Sequence, residues 1–545
     1  MPALPRQLMI TVLLTVAPLV WTQTADVDDE LADLDSLFSD EEMIETADES
    51  EALESPADDL LTQEGVTWGG AIRGSVSSDW NWDDYTSAGF SLTEPTSSSL
   101  SPTIGADLFF SARPESDFRA YGKLKIDTTT DGQFTGLTLT PDTLGDGVLP
   151  DGWTAEEDEN GDIVIRDQDG ALIATVPAET ATAATGIPAA GDTGTGNAPG
   201  LEISVFELFS DYTWNDSLFF RFGKHTIRWG TGYFFSPADV LNLTAVDAED
   251  PTADREGPIS LRTVYPFGVT GSAYFYAITN ANAEPLDIAI APKVEFVLGP
   301  GELGLGGYYQ RSLAPRLVGL YTASAWGVDF FGEAVLLWGS DRVFVSPSDD
   351  QSAAEADPQD GHELVLDTYR VDDRLFAHAT VGARYLKQWE DGGSLVLVGQ
   401  YYFNGEGYDD SVPGLLPATA RLALNPAENG LASTDPDDQP PALGLADLAN
   451  WGRHYFGGTI ALSGIPVDDL SLTALAIANL SDLSAILVPA INYRFLDRFS
   501  VSVAARFTLG GPDDEFTDPA ALLLGGEAEP TVGLTFTVSM PAASF

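Results

Sequence analysis

Cysteine is absent from all 545 residues. That gap removes disulfides, thiol nucleophiles, Cys-ligated zinc, iron–sulfur clusters and lipoprotein acylation. Basic residues are scarce: 25 Lys and Arg stand against 84 Asp and Glu, for a formal charge of −59. No basic surface of useful size remains to meet phosphates, so nucleic acid is excluded as a partner. After the first 25 residues no apolar run approaches the ~18–20 residues that a membrane helix needs, which excludes a helical membrane protein. The four histidines, His225, His362, His378 and His454, show no His-x-x-x-His or Glu-x-x-His spacing. Gly-x-Ser-x-Gly, the phosphate-cradling Gly-x-x-x-x-Gly-Lys-Ser and the Rossmann glycines are missing as well. Neither enzymatic activity nor a metal or cofactor is expected.

What is present is apolar and rich in turns. Hydrophobic residues make up 44% of the chain, with 53 Gly, 11 Trp, 17 Tyr and 28 Phe. That is too much apolar surface for wholesale disorder, and it suits an all-β chain. Residues 1–25 carry Arg6, an apolar stretch from Leu8 to Trp21 and then small polar residues, the three regions of a secretory signal. Residues 26–65 are dominated by Asp and Glu with no Lys or Arg, and read as a solvated acidic tether on the periplasmic side.

From Val66 to Phe545 the period is two. In Phe499–Leu509 the odd positions read Phe, Val, Val, Ala, Phe, Leu, and the even ones hold Ser500, Ser502, Arg506 and Thr508. Such alternation gives a strand one apolar and one polar face. Eighteen candidate strands follow, near 66–80, 101–113, 117–128, 201–213, 216–228, 258–265, 268–279, 286–297, 302–311, 314–324, 327–338, 375–387, 393–404, 453–463, 468–479, 482–494, 497–509 and 530–540. Tight turns alternate with long links at 129–200, 229–257, 339–374, 405–452 and 510–529. Short turns at one end and long loops at the other predict a transmembrane antiparallel β-barrel of 16–18 strands in the cell outer membrane. Lipid and small hydrophilic solutes are then its partners, and the barrel-assembly machinery takes the C-terminal strand. The terminal Phe545 suits that role, although Pro541 interrupts the alternation before it.

If the more apolar parity of each strand faces lipid, the inward positions hold Arg73, Arg113, Arg119, Lys123, Lys125, Arg221, Arg262, Lys293, Arg316, Arg384, Arg494, Arg498 and Arg506. The inward acids are Asp107, Asp127, Glu207, Asp211, Asp287, Glu295, Asp329 and Glu333. Thirteen bases against eight acids predict a lumen with a mild preference for anions. The pore-lining candidates are Arg73, Arg119, Lys123, Lys125, Arg221, Lys224, Arg228, Arg262, Arg384, Arg494, Arg506, Glu207 and Glu333. A stretch from Glu156 to Asp167 resembles part of a calcium loop, but its Asn160-Gly161 fits a β-hairpin better.

The segment Gly223-Lys224, Arg228-Trp229-Gly230, Asp239-Val-Leu-Asn242 and Gly257-Pro258 through Tyr265-Pro266 resembles a family of Gram-negative outer-membrane barrels with poorly defined, porin-like roles. Lys224 stands where that family more often has Arg, and Leu243 where it often has Pro. Tyr402-Phe-Asn-Gly-Glu-Gly-Tyr408 is similar to segments of spirochaetal barrel proteins. The resemblance implies class and compartment and leaves the solute open. After Lys224 the chain has two readings: a constriction folded into the lumen with Lys224 and Arg228 in the eyelet, or an aromatic girdle with Trp229, Tyr233, Phe234 and Phe235 at the membrane interface. The expected function is a porin-like channel. The alternative is a non-conducting receptor, adhesin or structural barrel that uses its long loops. An outer-membrane hydrolase with His378 or His454 as base lacks a recognisable serine partner.

Overall fold

The computed structural model describes residues 66–129, 154–157, 163–166, 172–176, 200–347, 366–408, 450–511, 514–517 and 530–544, apart from positions 88–89, 216, 269, 280–286, 312, 390–391, 466 and 496–498. The expected signal and acidic segment lie outside these residues, as do Arg498 and Phe545.

Eighteen strands form one sheet. In chain order they are β1 (Val66–Trp82), β2 (Ser97–Glu115), β3 (Phe118–Thr129), β4 (Gly200–Trp214), β5 (Leu218–Lys224), β6 (Ile259–Phe267), β7 (Gly271–Thr279), β8 (Ala289–Leu298) and β9 (Gly301–Tyr308). They continue as β10 (Arg316–Ala325), β11 (Val328–Trp338), β12 (Leu375–Gln388), β13 (Ser394–Asn404), β14 (His454–Ser463), β15 (Leu470–Asn479), β16 (Ser484–Phe495), β17 (Phe499–Leu509) and β18 (Val532–Ser544). Each strand pairs antiparallel with its chain neighbour, and β18 pairs with β1. The sheet is therefore closed and has no free edge. Every strand expected from the alternation is present. β5 stops at Lys224 instead of running on to residue 228, while β2 begins earlier than expected, at Ser97, and β18 runs on past residue 540 to Ser544. Glu156 and Glu157 lie in a short strand paired with Ile163 and Val164, so that stretch is a hairpin.

Eight short turns at one end alternate with nine connections at the other, and the start of β1 at Val66 and the end of β18 at Ser544 both lie at the turn end. Trp326 and Gly327 join β10 to β11 with φ of 57° and 75°, as a two-residue type I′ hairpin requires. At the other terminus β18 passes Pro541 through a bulge: Met540 opposes Gly74 and Ala543 opposes Ile72, so the outward row resumes one residue out of step.

Residues paired across an antiparallel ladder share a face, so a few exposed apolar side chains fix the orientation of every strand. Ile104, Leu317 and Val381 are 61%, 65% and 60% exposed on strands whose alternate rows turn inward. Leaving aside the bulge near Glu115, no Asp, Glu, Lys or Arg lies between the first and last positions of any described outward row; Lys224 and Lys387 each stand last in theirs. An uninterrupted apolar belt is what a lipid solvent requires. Trp68, Trp214, Tyr265 and Trp326 mark its turn end, and Trp338 and Tyr401 its loop end, the interfacial placement of amphipathic rings.

A reversal of polarity should therefore be tolerated only inside. Val381→Arg, at mid-strand of β12 on the lipid face, should destabilise the barrel by ~2–4 kcal/mol. Ser77→Arg, on the inward row of β1, should cost much less. Denaturant unfolding in lipid vesicles measures the difference, and equal costs would reverse the assigned faces.

Candidate functional site: an inner loop and the passage beside it

The connection from β5 to β6, residues 225–258, does not stay outside. At Gly223 φ is +135°, and an added Cβ would lie 2.2 Å from the Leu208 carbonyl oxygen. Only glycine tolerates that combination. There the chain leaves the strand and enters the lumen. Trp229 and Phe234 are 1% and 0% exposed, and Ile227, Ala238 and Leu241 are buried with them. The girdle reading is overturned: these rings pack on the inner wall. Trp229 meets Tyr276 edge-on at 5.2 Å, in space left by Gly306, whose Cβ would fall 2.9 Å from the indole. Phe235 stacks on Tyr402 at 5.2 Å and leans on Tyr455 at 5.5 Å. Phe234 fills the place of the missing Gly457 side chain.

An irregular loop in a closed interior needs acceptors for its amides. Two wall side chains supply them. Glu333 of β11 accepts from the amides of Thr231, Gly232 and Ala238 and from the Ser236 hydroxyl. Gln400 of β13 accepts from Tyr233, Phe234 and Phe235 N–H at 3.0, 2.7 and 3.4 Å, and its Nε2 donates to the Phe235 carbonyl at 2.6 Å. The loop also clasps itself. Asn242 Oδ1 accepts from Ile227 N–H at 2.9 Å, and Asn242 Nδ2 donates to the Ile227 carbonyl at 2.6 Å and to Asp239 at 2.8 Å. Burial pushes the Asp239 carboxyl up, against the opposing pull of its partner Arg255. The Asp-Val-Leu-Asn stretch is thus the loop's fastening.

The far side of the loop carries carboxylates across the lumen to basic residues on the opposite wall. Asp254 pairs with Lys125 and, at 3.9 Å, with Lys123, both on β3. Burial opposes ionisation of Asp254, but the hydrogen bond and charge of Lys125 outweigh it and hold the carboxyl below its ordinary range. Glu249 takes both arms of Arg506 on β17 at 2.7 and 2.9 Å. On the wall itself Arg73 bridges Asp107 at 2.9 Å and Asp127 at 2.7 Å, and Arg221 holds Asp211 at 2.7 Å. Lys123 and Lys125 also lie 5.1 and 4.0 Å from the ring of Phe206. Phe206 is an extra residue in β4, bulged where Lys123 opposes Glu207 and Leu124 opposes Val205.

Of the expected lining residues, Arg73, Arg119, Lys123, Lys125, Arg221, Arg262, Arg494, Arg506 and Glu207 occupy inward positions. Three others need correction. Glu333 is inward but 3% exposed, because the loop lies on top of it. Arg384 is inward and equally buried. Lys224 opposes Leu208 and Ile259 in the outward register. Its ammonium turns back to Glu256 and, at 2.9 Å, to the Val205 carbonyl. Arg228 travels with the loop. The charge count changes as well, since Glu249 and Asp254 of the loop meet the strand bases Arg506, Lys123 and Lys125 and partly offset their excess, whereas Asp239 is taken by the loop's own Arg255 and Glu256 by Lys224.

The loop divides the interior. Between it and the wall from β6 to β15 lie two apolar clusters, one around Trp229 and Tyr276, the other around Phe234 and Tyr455. In the remaining wall, β17, β18, β1 and the loop-end half of β2 face the lumen with hydroxyls, Ser75 with Thr103 at 2.6 Å, Ser77 with Thr537 at 2.8 Å and Ser500 with Ser539 at 2.6 Å, and β2–β5 continue it with the ion pairs of Arg73, Lys123, Lys125 and Arg221. One half is packed and the other is hydrophilic.

At the loop end a second segment, 514–517, also turns inward. Glu515 accepts from the Tyr455 hydroxyl at 2.6 Å and from Asn479 Nδ2 at 2.7 Å, and the same amide reaches Asp482 at 3.0 Å. A cavity of about 360 Å³ separates this segment from the inner loop, with Phe234, Tyr402, Ile477 and Phe516 among its walls.

No catalytic arrangement emerges around the two described candidate bases. His378 lies 2.9 Å from Glu406 and 3.0 Å from the Tyr402 hydroxyl. Ser340 hydrogen-bonds that Glu406 and not the imidazole, so this trio lacks the hydroxyl–imidazole contact that activates a serine. His454 faces outward and meets the Tyr401 hydroxyl at 2.6 Å.

Two outcomes follow from these contacts. Glu333→Ala leaves three amides and a hydroxyl without their acceptor, at about 1–3 kcal/mol for each donor stranded. Limited proteolysis in vesicles should then cut within 225–258, while Glu333→Gln, which keeps an acceptor oxygen, should resist better. Burial beside Asp482 lifts Glu515 from an ordinary 4.5 to about 7. The docked state therefore binds the extra proton: docking of 514–517 is strongest below pH ~4.5 and weakens as pH rises towards ~7, with no further loss above. Hydrogen exchange of that segment should show this dependence, and Glu515→Gln should abolish it.

No family model matches the chain, and no curated protein matches it. Solved structures with a similar course include OccAB1 of Acinetobacter baumannii, 9% identical with a TM-score of 0.42 over 88% of this chain and 97% of that one. OccK11 (OpdR) of Pseudomonas aeruginosa is 6% identical at 0.40, over 89% and 98%. The outer membrane channel DcaP of A. baumannii is 12% identical at 0.34, over 88% and 99%. Similarity at this level assigns neither a family nor a solute.

Proposed function

We propose that the protein is an outer-membrane channel through which small hydrophilic solutes diffuse along an off-centre passage. The observation that carries this reading is the division of the lumen. The inner loop fills one half with apolar side chains, and the half left beside it is walled by hydroxyls and matched ion pairs. A barrel serving only to hold loops outside has no use for a hydrophilic interior wall of this kind. In this reading residues 1–25 direct export and the acidic segment 26–65 lies in the periplasm. The C-terminal strand is the one offered to the barrel-assembly machinery.

Asp254 and Glu249 of the loop meet Lys123, Lys125 and Arg506 across the lumen. Carboxylates stand against bases there, so the preference for anions is mild, and the loop acids are what keep it mild. Purified protein in planar bilayers should conduct. The double variant Glu249→Gln with Asp254→Asn should raise the anion-to-cation permeability ratio under a salt gradient, because it leaves the wall bases unopposed. The effect should shrink at high salt, as screening shortens the reach of exposed charges. Absence of conductance in a folded, heat-modifiable barrel would overturn the channel reading in favour of a receptor or structural barrel.

A further inference from the structure

We propose that Phe109 and Tyr121 form a stacking platform in the passage for a neutral polyhydroxylated ring, a mono- or disaccharide. The inference rests on the channel reading and names its solute class. Among the described strand residues, Phe109 is the one large aromatic side chain that is exposed at an inward position; it is 38% exposed. An exposed ring is unremarkable on the lipid face, but in water it is an uncompensated apolar surface.

The ring has a defined pose. It lies over Gly69, where a Cβ would come within 2.4 Å of the Phe109 Cζ. Covering a glycine in this way accounts for the buried face and leaves the opposite face turned to the lumen. Tyr121 continues the surface: its ring centroid is 6.4 Å from that of Phe109 and the planes differ by 22°. At that separation the near-parallel rings are offset from one another rather than stacked face on face. A flat apolar surface of this size fits the C–H face of a pyranose.

The polar groups around it choose between ligands. Lys123 stands directly opposite Phe109 in the register, 3.7 Å from Asp107 and 3.9 Å from Asp254. Arg73 carries two carboxylates. Lys123 and Arg73 thus already have their anions, and a carboxylate solute would have to displace one, while Arg119, 5.4 Å from the Tyr121 ring centroid, donates to the Ser111 hydroxyl at 3.2 Å. A neutral sugar needs no displacement. Its hydroxyls both donate and accept, and paired charged groups offer both functions with little net charge.

The test is titration calorimetry of the detergent-purified full chain with maltose as probe, which reads binding whether or not the barrel conducts. Millimolar-range binding to the wild type is expected. Phe109→Ala should weaken it by about tenfold, equivalent to ~1.4 kcal/mol, and Phe109→Tyr should retain it. Both variants should keep the heat-modifiable gel mobility of a folded barrel. Failure of the wild type to bind maltose, equal affinity in Phe109→Ala, or tighter binding of benzoate than of maltose would each overturn the proposal. Lost conductance with intact maltose binding would instead count against the channel reading alone.

Discussion

The interior of this barrel depends on one buried carboxylate and one buried amide. Glu333 and Gln400 together take six backbone N–H groups of an irregular loop that has entered the lumen. Without those acceptors each amide would have to be desolvated unpaired, and the loop would gain more by staying in water. With them satisfied, Trp229, Phe234 and Phe235 can pack on the inner wall at little polar cost. The same contact that anchors the loop therefore builds an apolar core inside a protein whose outer surface is already apolar.

The rest follows from two solvents. Lipid outside demands that every backbone group in the wall be paired, which the closed ladder from β1 through β18 and back to β1 provides. Water inside permits charge, and the inward rows of β1–β5 hold a cluster of ion pairs around Arg73, Lys123, Lys125 and Arg221. Glycines allow the two regimes to meet. Gly223 turns the chain inward, while Gly306 and Gly457 clear the wall where loop rings arrive. Against β17, β18 and β1–β3 the loop makes ion pairs through Asp254 and Glu249 rather than apolar contacts, because those strands turn hydroxyl and charged side chains inward.

Much of the wall is legible in the residues themselves. Strict alternation in stretches such as Phe499–Leu509 leaves no ambiguity of face, and the turn residues between strands mark each reversal. The failures come where the signal is not local. An aromatic run such as Trp229 to Phe235 fits a membrane girdle and a lumen plug equally well. What separates them is Glu333 and Gln400, more than a hundred residues downstream of most of the amides they hold. Glu333 has the parity of a pore acid, but parity does not say what lies on top. The carboxylates of the loop escape a count restricted to strands, so a basic excess that is real on the wall is partly offset in the lumen. Phe206 is hidden for another reason, since a bulge shifts the period by one and alternation cannot show which residue is extra.

The central claim is that half of the lumen is sealed by the inner loop and half is open. The absence of cysteine makes this directly measurable with single introduced thiols. Ser75→Cys lies on the hydroxyl wall, and Val335→Cys lies on the inward row beneath the loop, at a position 1% exposed. A membrane-impermeant thiosulfonate added to barrels in vesicles should modify the first rapidly and leave the second unreacted until the protein is denatured. Rapid modification of both positions in the folded barrel would contradict the account.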